Sequence, residues 1–150
     1  MEKVDRVNYF ADENASSTDF AFEVDRFMRR LNARVHAQSP IFDEERIGPI
    51  GGMILMALAE AQPAPMQSVA TMMGRDKAQL SRMFSRLERD GLVSRTANKD
   101  DQRSSLLSLT GKGEDFVQKI KSVVAGAVEE LTQPLSPEER AELLHLLAKT

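Results

Sequence analysis

The middle of the chain contains two short helical patterns separated by a tight polar turn, and this spacing constrains the fold more than any other feature. MQSVATMMG, residues 66–74, predicts a short helix that ends at Gly74. Asp76 can cap a second helix, and Gln79 stands three residues later in the position of a capping-box partner. This second helix runs to about Asp90, before a glycine. The pair predicts a helix-turn-helix.

The second of these helices has an outer face without a carboxylate. Its apolar side is formed by Leu80, Met83, Phe84 and Leu87, and its opposite side carries Ala78, Gln79, Ser81, Arg82, Ser85, Arg86 and Arg89. Arginine can form hydrogen bonds with guanine, glutamine with adenine and serine with phosphate, and a small side chain permits close approach of the helix to the DNA. We therefore predict that this helix binds the DNA major groove through Lys77, Gln79, Ser81, Arg82, Ser85 and Arg86. An ordinary solvated surface, with Gln79 acting only in the cap, is the alternative.

A predicted β-hairpin follows directly. LVSRTA (residues 92–97) and SLLSL (residues 105–109) have strand composition and are joined by a polar turn. A hairpin beside the recognition helix can lie along the DNA backbone, so that its tip meets a minor groove whose negative potential favours an arginine. We predict that Arg103 makes this contact, with Lys99 assisting and Asp101 orienting the guanidinium. A salt-bridged arginine on a surface hairpin is the alternative.

Helical patterns flank this unit on both sides. Apolar residues repeat with a period of 3.6 in residues 20–35 and again in residues 116–131. A further helix fits residues 50–61, QPAP at 62–65 acts as a breaker, and Ser136-Pro137-Glu138-Glu139 starts a last helix. The predicted fold is mainly α with a small β-hairpin: a winged helix-turn-helix with flanking N- and C-terminal dimerisation helices.

The predicted organisation is one domain of residues 1–150. Residues 50–113 form the winged helix-turn-helix DNA-binding unit, and residues 1–45 and 114–150 supply the dimerisation helices. The two apolar stripes lie furthest in sequence from the DNA-reading unit. A twofold dimer would bury them and place two recognition helices about 34 Å apart, one turn of DNA. A monomer in which the two helices pair with each other is the alternative.

Charge is distributed unevenly along the chain. The net charge is −3, but nine basic and five acidic residues between Arg75 and Lys112 give a local charge of +4. The remaining 11 basic and 18 acidic residues give −7. A basic middle between acidic ends is typical of a polyanion-binding patch.

Composition excludes several classes of site and location. The chain has no cysteine, which excludes disulfides, thiolate metal sites and cysteine redox sensing. The longest wholly apolar run, Met53 to Ala59, is too short to span a bilayer, and the N-terminus shows no signal pattern. We therefore expect a cytoplasmic protein with no membrane partner.

The sequence resembles the multiple-antibiotic-resistance regulator (MarR) family over nearly its whole length. The matching features are Leu80-Ser81-Arg82, Leu87-Glu88, Gly91-Leu92-Val93-x-Arg95, Asp101-x-Arg103 and Leu107-x-Leu109-Thr110-x-x-Gly113. The resemblance implies a dimeric bacterial transcription regulator, in most members a repressor, that binds a palindromic operator in double-stranded DNA. It implies that the first and last helices form the dimer interface and that no catalytic activity is present. It also implies that a small, often aromatic, effector binds a pocket between the dimer and DNA-binding regions and thereby causes release of the DNA.

Eight methionines are many for this length. Methionine adapts to irregular shapes and to aromatic partners, so we predict an apolar effector pocket lined partly by Met53, Met56 and Met72. Simple filling of the core is the alternative.

No residues for metal, cofactor or catalytic chemistry are predicted. His36 and His145 have no second ligand at helical metal spacing, and the paired acids Glu44-Glu45 and Asp100-Asp101 stand in polar, turn-like segments. The predicted function is therefore a dimeric, sequence-specific DNA-binding transcription regulator, a repressor released by a small ligand. A winged-helix protein-interaction module that does not bind DNA is the alternative.

Overall fold

The computed structural model of the protein describes residues 17–38, 40 and 47–150. The described helices and strands are α1 (Ser17–Ala37), α2 (Gly48–Ala61), β1 (Ala64–Pro65), α3 (Met66–Met73), α4 (Lys77–Arg89), β2 (Val93–Ala97), β3 (Ser105–Leu109), α5 (Gly111–Thr132) and α6 (Pro137–Leu147). The predicted mainly α fold with a small β-hairpin is confirmed. Much of the predicted dimerisation segment 1–45, and the paired acids Glu44-Glu45, lie outside the described residues.

The hairpin belongs to a three-stranded antiparallel sheet of order β1-β3-β2. Val93 pairs with Leu109 at one end of the hairpin, and Ala97 pairs with Ser105 at the other. The QPAP breaker also supplies β1, which pairs with β3 on its other edge. The Gln62 side-chain Oε1 accepts a hydrogen bond from the Leu109 backbone N–H at 2.7 Å. A two-residue strand is too short to show a period, which is why the sequence did not reveal it.

The core lies where α2, α4 and the sheet meet. Fully buried side chains come from each of these elements: Ile54, Leu55, Leu58, Leu80, Phe84, Leu92 and Leu107. Ile54, Leu55 and Leu58 of the apolar run of α2 are buried, but Met53 is 56% exposed. That side of α2 faces a cavity instead of the core.

The two long helices differ in how they use their apolar stripes. Phe116 and Ile120 of α5 are buried in the core of the same chain, so this half of the stripe is not available to a dimer partner, contrary to expectation. No residue of α1 is buried, although α1 packs along α5 and Arg34 Nε lies 3.1 Å from Glu130 Oε2. No helix in the described part of the chain is long and apolar enough to cross a bilayer.

Candidate nucleic-acid interface

The outer face of α4 is open to solvent. Its apolar residues Leu80, Phe84 and Leu87 are buried in the core, which turns the opposite side outwards. The predicted contact residues lie together there: Lys77, Gln79, Arg82, Ser85 and Arg86 are exposed, and Ser81 is half-buried. The residues that the sequence pattern assigned to one face of this helix therefore form one surface in the structure. The accessible groups are mainly positive charges and hydrogen-bond donors.

Two details modify this surface. The Ser85 hydroxyl donates to the Ser81 backbone carbonyl at 2.9 Å, so its oxygen is left as an acceptor. Arg86 Nε lies 3.9 Å from Asp90 Oδ2 at the end of α4. A carboxylate therefore borders the face at its C-terminal end, although none lies within it.

The start of α4 shows whether the side chain of Gln79 takes part in capping the helix. The Asp76 carboxylate accepts from the backbone N–H groups of Ala78 and Gln79 at 2.9 and 3.2 Å. The reciprocal bond of a capping box is present at α6, where Glu139 Oε2 accepts from the Ser136 N–H at 2.8 Å. It is not formed by Gln79, so the amide of Gln79 is free of the cap.

A bidentate ion pair connects the end of α4 to the hairpin. Arg95 on β2 donates from Nε and Nη2 to the two carboxylate oxygens of Glu88 at 3.0 and 2.9 Å. Its third nitrogen, Nη1, donates to the Ser105 hydroxyl on β3 at 3.0 Å. One guanidinium thus holds α4, β2 and β3 in a fixed relation, because its planar fork matches the carboxylate. Both charged residues stand in the motifs of the resemblance, but the pairing between separate elements was not predicted.

This pair makes a pH-dependent contribution to stability. The hydrogen bonds from Arg95 are the largest effect and hold the pKa of Glu88 below the ordinary value of 4.5; burial opposes them, and the charge of Arg95 adds a smaller lowering. The pKa of this carboxyl is lower in the folded protein than in the unfolded protein. Such a group stabilises the fold fully at pH values above its pKa in the unfolded protein, and this stabilisation is lost as the pH falls through its pKa in the folded protein. The contribution is therefore complete at neutral pH and disappears in acid.

Replacing Glu88 by glutamine should lower the free energy of unfolding by up to about 1 kcal/mol at pH 7, the usual limit for a partly exposed ion pair. The difference from wild type should shrink as the pH falls below 4.5. Urea denaturation at several pH values measures it. Glu142→Gln, at an exposed glutamate of α6, is the matched control and should show no such trend. A Glu88→Gln deficit that persists unchanged in strong acid would contradict the assignment.

The hairpin tip is held by hydrogen bonds that do not involve the side chain of its arginine, Arg103. Asn98 Nδ2 donates to the Ser104 hydroxyl at 2.9 Å. The Asp101 carboxylate accepts from the Arg103 backbone N–H at 2.9 Å. The structure does not show Asp101 orienting the guanidinium, because its Oδ1 forms the turn and no ion pair joins its carboxylate to the Arg103 side chain. Arg103 is exposed, and no ion pair joins it to another residue in the described part of the chain. Lys99 is exposed on the same turn.

The other end of α4 is joined to the start of α5. The Thr110 hydroxyl donates to the Gly91 carbonyl at 2.6 Å and accepts from the Gly113 N–H at 3.1 Å, which caps α5. Lys112 Nζ donates to the Asp90 carbonyl at 3.1 Å. The carbonyls of Asp90 and Gly91, the two residues that follow α4, are thus satisfied by side chains at the start of α5, and the orientation of α4 depends on α5.

A cavity of about 490 Å³ lies between α1, α2, α3 and α5. The three predicted pocket residues, Met53, Met56 and Met72, all line it. Met73, Ile120 and Val124 add to its apolar wall. Because Met72 and Met73 form the last turn of α3, the cavity lies directly beside the turn that leads into α4.

Comparisons with known proteins agree with this architecture. The model of the MarR family matches residues 52–105, from α2 into β3. The transcriptional repressor CouR, solved bound to a 23-mer DNA duplex, is 27% identical with a TM-score of 0.67, and the match covers 86% of this chain and 89% of that chain. A mutant MarR from E. coli, complexed with operator DNA, is 25% identical with a TM-score of 0.61, over 87% and 89% of the two chains.

The wild-type apo form of MarR from E. coli is similar in the same way. It is 25% identical with a TM-score of 0.67, and the match covers 83% of this chain and 93% of that chain. The resemblance found in the sequence and the winged helix-turn-helix fold are both confirmed by these matches. The prediction that the chain is not an enzyme is also confirmed, because members of this family are transcription regulators.

Proposed function

We propose that this chain, a MarR-family transcriptional regulator, binds a palindromic operator as a homodimer and represses transcription until a small apolar ligand releases it. The observation that carries the proposal is the exposed, carboxylate-free face of α4 beside a hairpin whose tip presents Arg103. Two relatives of the same fold solved with DNA support it. A regulator that binds operator DNA acts where that DNA is, and we therefore place this chain in the cytoplasm.

DNA binding divides between the helix and the hairpin. Gln79 and Arg82 have the side chains that read adenine and guanine in the major groove, and both are exposed on α4. Lys77, Ser81, Ser85 and Arg86 contact bases at the edge of the site or phosphates. Arg103 enters the minor groove, where its lack of an ion pair within the described residues means that no partner has to be given up. Lys99 binds phosphate.

Dimerisation is supported by apolar surface on the first and last described helices, α1 and α6. Phe20 and Phe22 of α1 are 68% and 64% exposed, and Leu144 and Leu147 of α6 are 69% and 60% exposed. Neither helix buries a residue within the chain. Large apolar patches of this kind mark protein interfaces. The monomer alternative is met only in part, because α1 does pack on α5 of its own chain but leaves these side chains in water.

Replacing Leu144 by aspartate should weaken the dimer by about 2 kcal/mol, the loss typical of an interface hot spot, or roughly thirtyfold in the dissociation constant. A charge at the interface loses water without gaining a partner. Sedimentation equilibrium measures the change. Thr96→Asp adds the same charge at an exposed site on β2 and should leave the mass unchanged. A wild-type protein that stays monomeric at high micromolar concentration would contradict the dimer.

Ligand release follows from the position of the cavity. A ligand bound in the cavity changes the position of α3 relative to α1 and α5. The Gly74 turn connects α3 to α4. The far end of α4 is held to α5 by Lys112 and Thr110. A shift of α3 therefore tilts α4, and in a dimer this alters the spacing of two recognition helices, to which a half-site arrangement is sensitive.

Selection of bound fragments from the source genome tests the proposal. We expect a palindromic sequence to be enriched, and its affinity to fall steeply with salt as phosphate contacts release counterions. Binding that shows neither sequence preference nor salt dependence would reject the regulator and favour the protein-interaction module.

A further inference from the structure

We infer that the effector cavity takes an apolar, aromatic molecule with a positively charged end, and not an aromatic acid. The inference rests on the proposed function, because it names the chemical class of the ligand that releases the operator. It comes from the sign of the charges that line the cavity and from the composition of its wall.

The wall of the cavity suits a flat apolar body. Its volume of about 490 Å³ lies in the range of small-molecule sites. Four methionines line it: Met53, Met56, Met72 and Met73. Thioethers make favourable contacts with aromatic rings and adjust to irregular shapes. Met53 and Met72 are about half exposed, so they offer this contact without losing a partner in the core.

Three polar side chains lie among these apolar ones: Asn32 and His36 from α1 and Glu60 from α2. None of the described residues that line the cavity is a lysine or an arginine. No described cation lies within ion-pairing distance of Glu60. Arg34, a cation on the same helix as His36, is paired with Glu130 and lines a different cavity.

The lone carboxylate decides which ligand charge is favoured. An ammonium group beside Glu60 gains attraction and charge-assisted hydrogen bonds, to which Asn32 can add an amide oxygen. A ligand carboxylate at the same place is repelled by Glu60 and meets no lysine or arginine among the described lining residues that would replace its water. The cavity thus discriminates by charge in favour of amines.

Three probes with one ring system test this directly: naphthylmethylamine, which is protonated at neutral pH, naphthalenemethanol, which is neutral, and naphthoate. Calorimetric titration of the full chain should show the amine binding about tenfold more tightly than naphthoate, with the alcohol between them. Glu60→Gln should weaken the amine about fivefold and leave the alcohol unaffected. Glu129→Gln, at an exposed glutamate of α5 outside the cavity, should change neither. Naphthoate binding as tightly as the amine, an amine affinity indifferent to Glu60, or binding of none of the probes would overturn the inference.

Operator binding, measured on the wild type without a probe, separates this result from the proposed function. Release of bound DNA by the amine and not by naphthoate supports both. Release by naphthoate alone overturns the charge assignment and leaves the regulator standing. If no fragment is bound, the proposed function fails, and amine selectivity is still decided by the titrations.

Discussion

Replacing Arg82 by alanine should weaken operator binding by about 1–3 kcal/mol and relax specificity at one base pair. Arg82 lies at the centre of the exposed face of α4, and none of the described residues forms an ion pair with it. Its guanidinium can therefore make two parallel hydrogen bonds to guanine, which alanine removes. Fluorescence anisotropy on the operator and on single-base variants measures both effects.

Lys99→Ala is the matched comparison. Lys99 belongs to the hairpin tip and is proposed to contact phosphate. Its loss should therefore weaken binding to all DNA sequences alike, and should reduce the slope of the logarithm of the binding constant against the logarithm of salt concentration by about one. The two variants thus separate base reading from backbone binding. If both bind the operator as the wild type does, the assignment of the DNA-binding residues is wrong.

Replacing Gly113 by alanine should lower the free energy of unfolding by about 1–3 kcal/mol, the cost of overpacking. A Cβ at this position would collide with the Leu92 backbone carbonyl oxygen and would lie 3.4 Å from the Leu109 Cβ. The carbonyl cannot move away, because it accepts the Thr110 N–H at 3.0 Å. This junction also holds the end of α4, so operator affinity should fall with stability. Chemical denaturation and anisotropy measure the two losses.

Gly126 provides the opposite case in the same helix. Nothing lies within 4 Å of a Cβ added there, so Gly126→Ala should stabilise the protein by up to about 1 kcal/mol through helix propensity. The contrast in sign distinguishes a close approach of two chain segments from a general effect of glycine in a helix. Equal effects at Gly113 and Gly126 would show that the contact with Leu92 carries no weight.

Local interactions were predictable because both partners are close in the chain. Asp76 and the Ser136–Glu139 box cap their helices as expected, and Gly74 ends α3 in the left-handed conformation. Each involves groups no more than a few residues apart, so the residue types and their spacing are sufficient evidence. The outer face of α4 was predictable for the same reason, since helical periodicity alone separates it from the buried side.

Predictions of side-chain pairing were less successful than those of the helix caps. Asp101 was expected to orient the Arg103 guanidinium two residues away, yet it accepts that residue's backbone N–H. Glu88 and Arg95 were known only as parts of two motifs, and their pairing depends on how the hairpin folds back onto α4. The α5 stripe is one continuous pattern in the sequence, but the structure buries Phe116 and Ile120 in the core of the chain itself.

The sequence by itself determined the order of the helices, the hairpin, the caps and the charge of the outer face of α4, since each of these depends on residues that are close together in the chain. Only the tertiary structure decided which face of α5 enters the core, how Arg95 connects three elements, and that Glu60 lines the same cavity as four methionines from two helices, with no lysine or arginine among its described lining residues. The physical reason is the same in each case. Periodicity states which side of an element is apolar, but packing between elements selects what that side contacts.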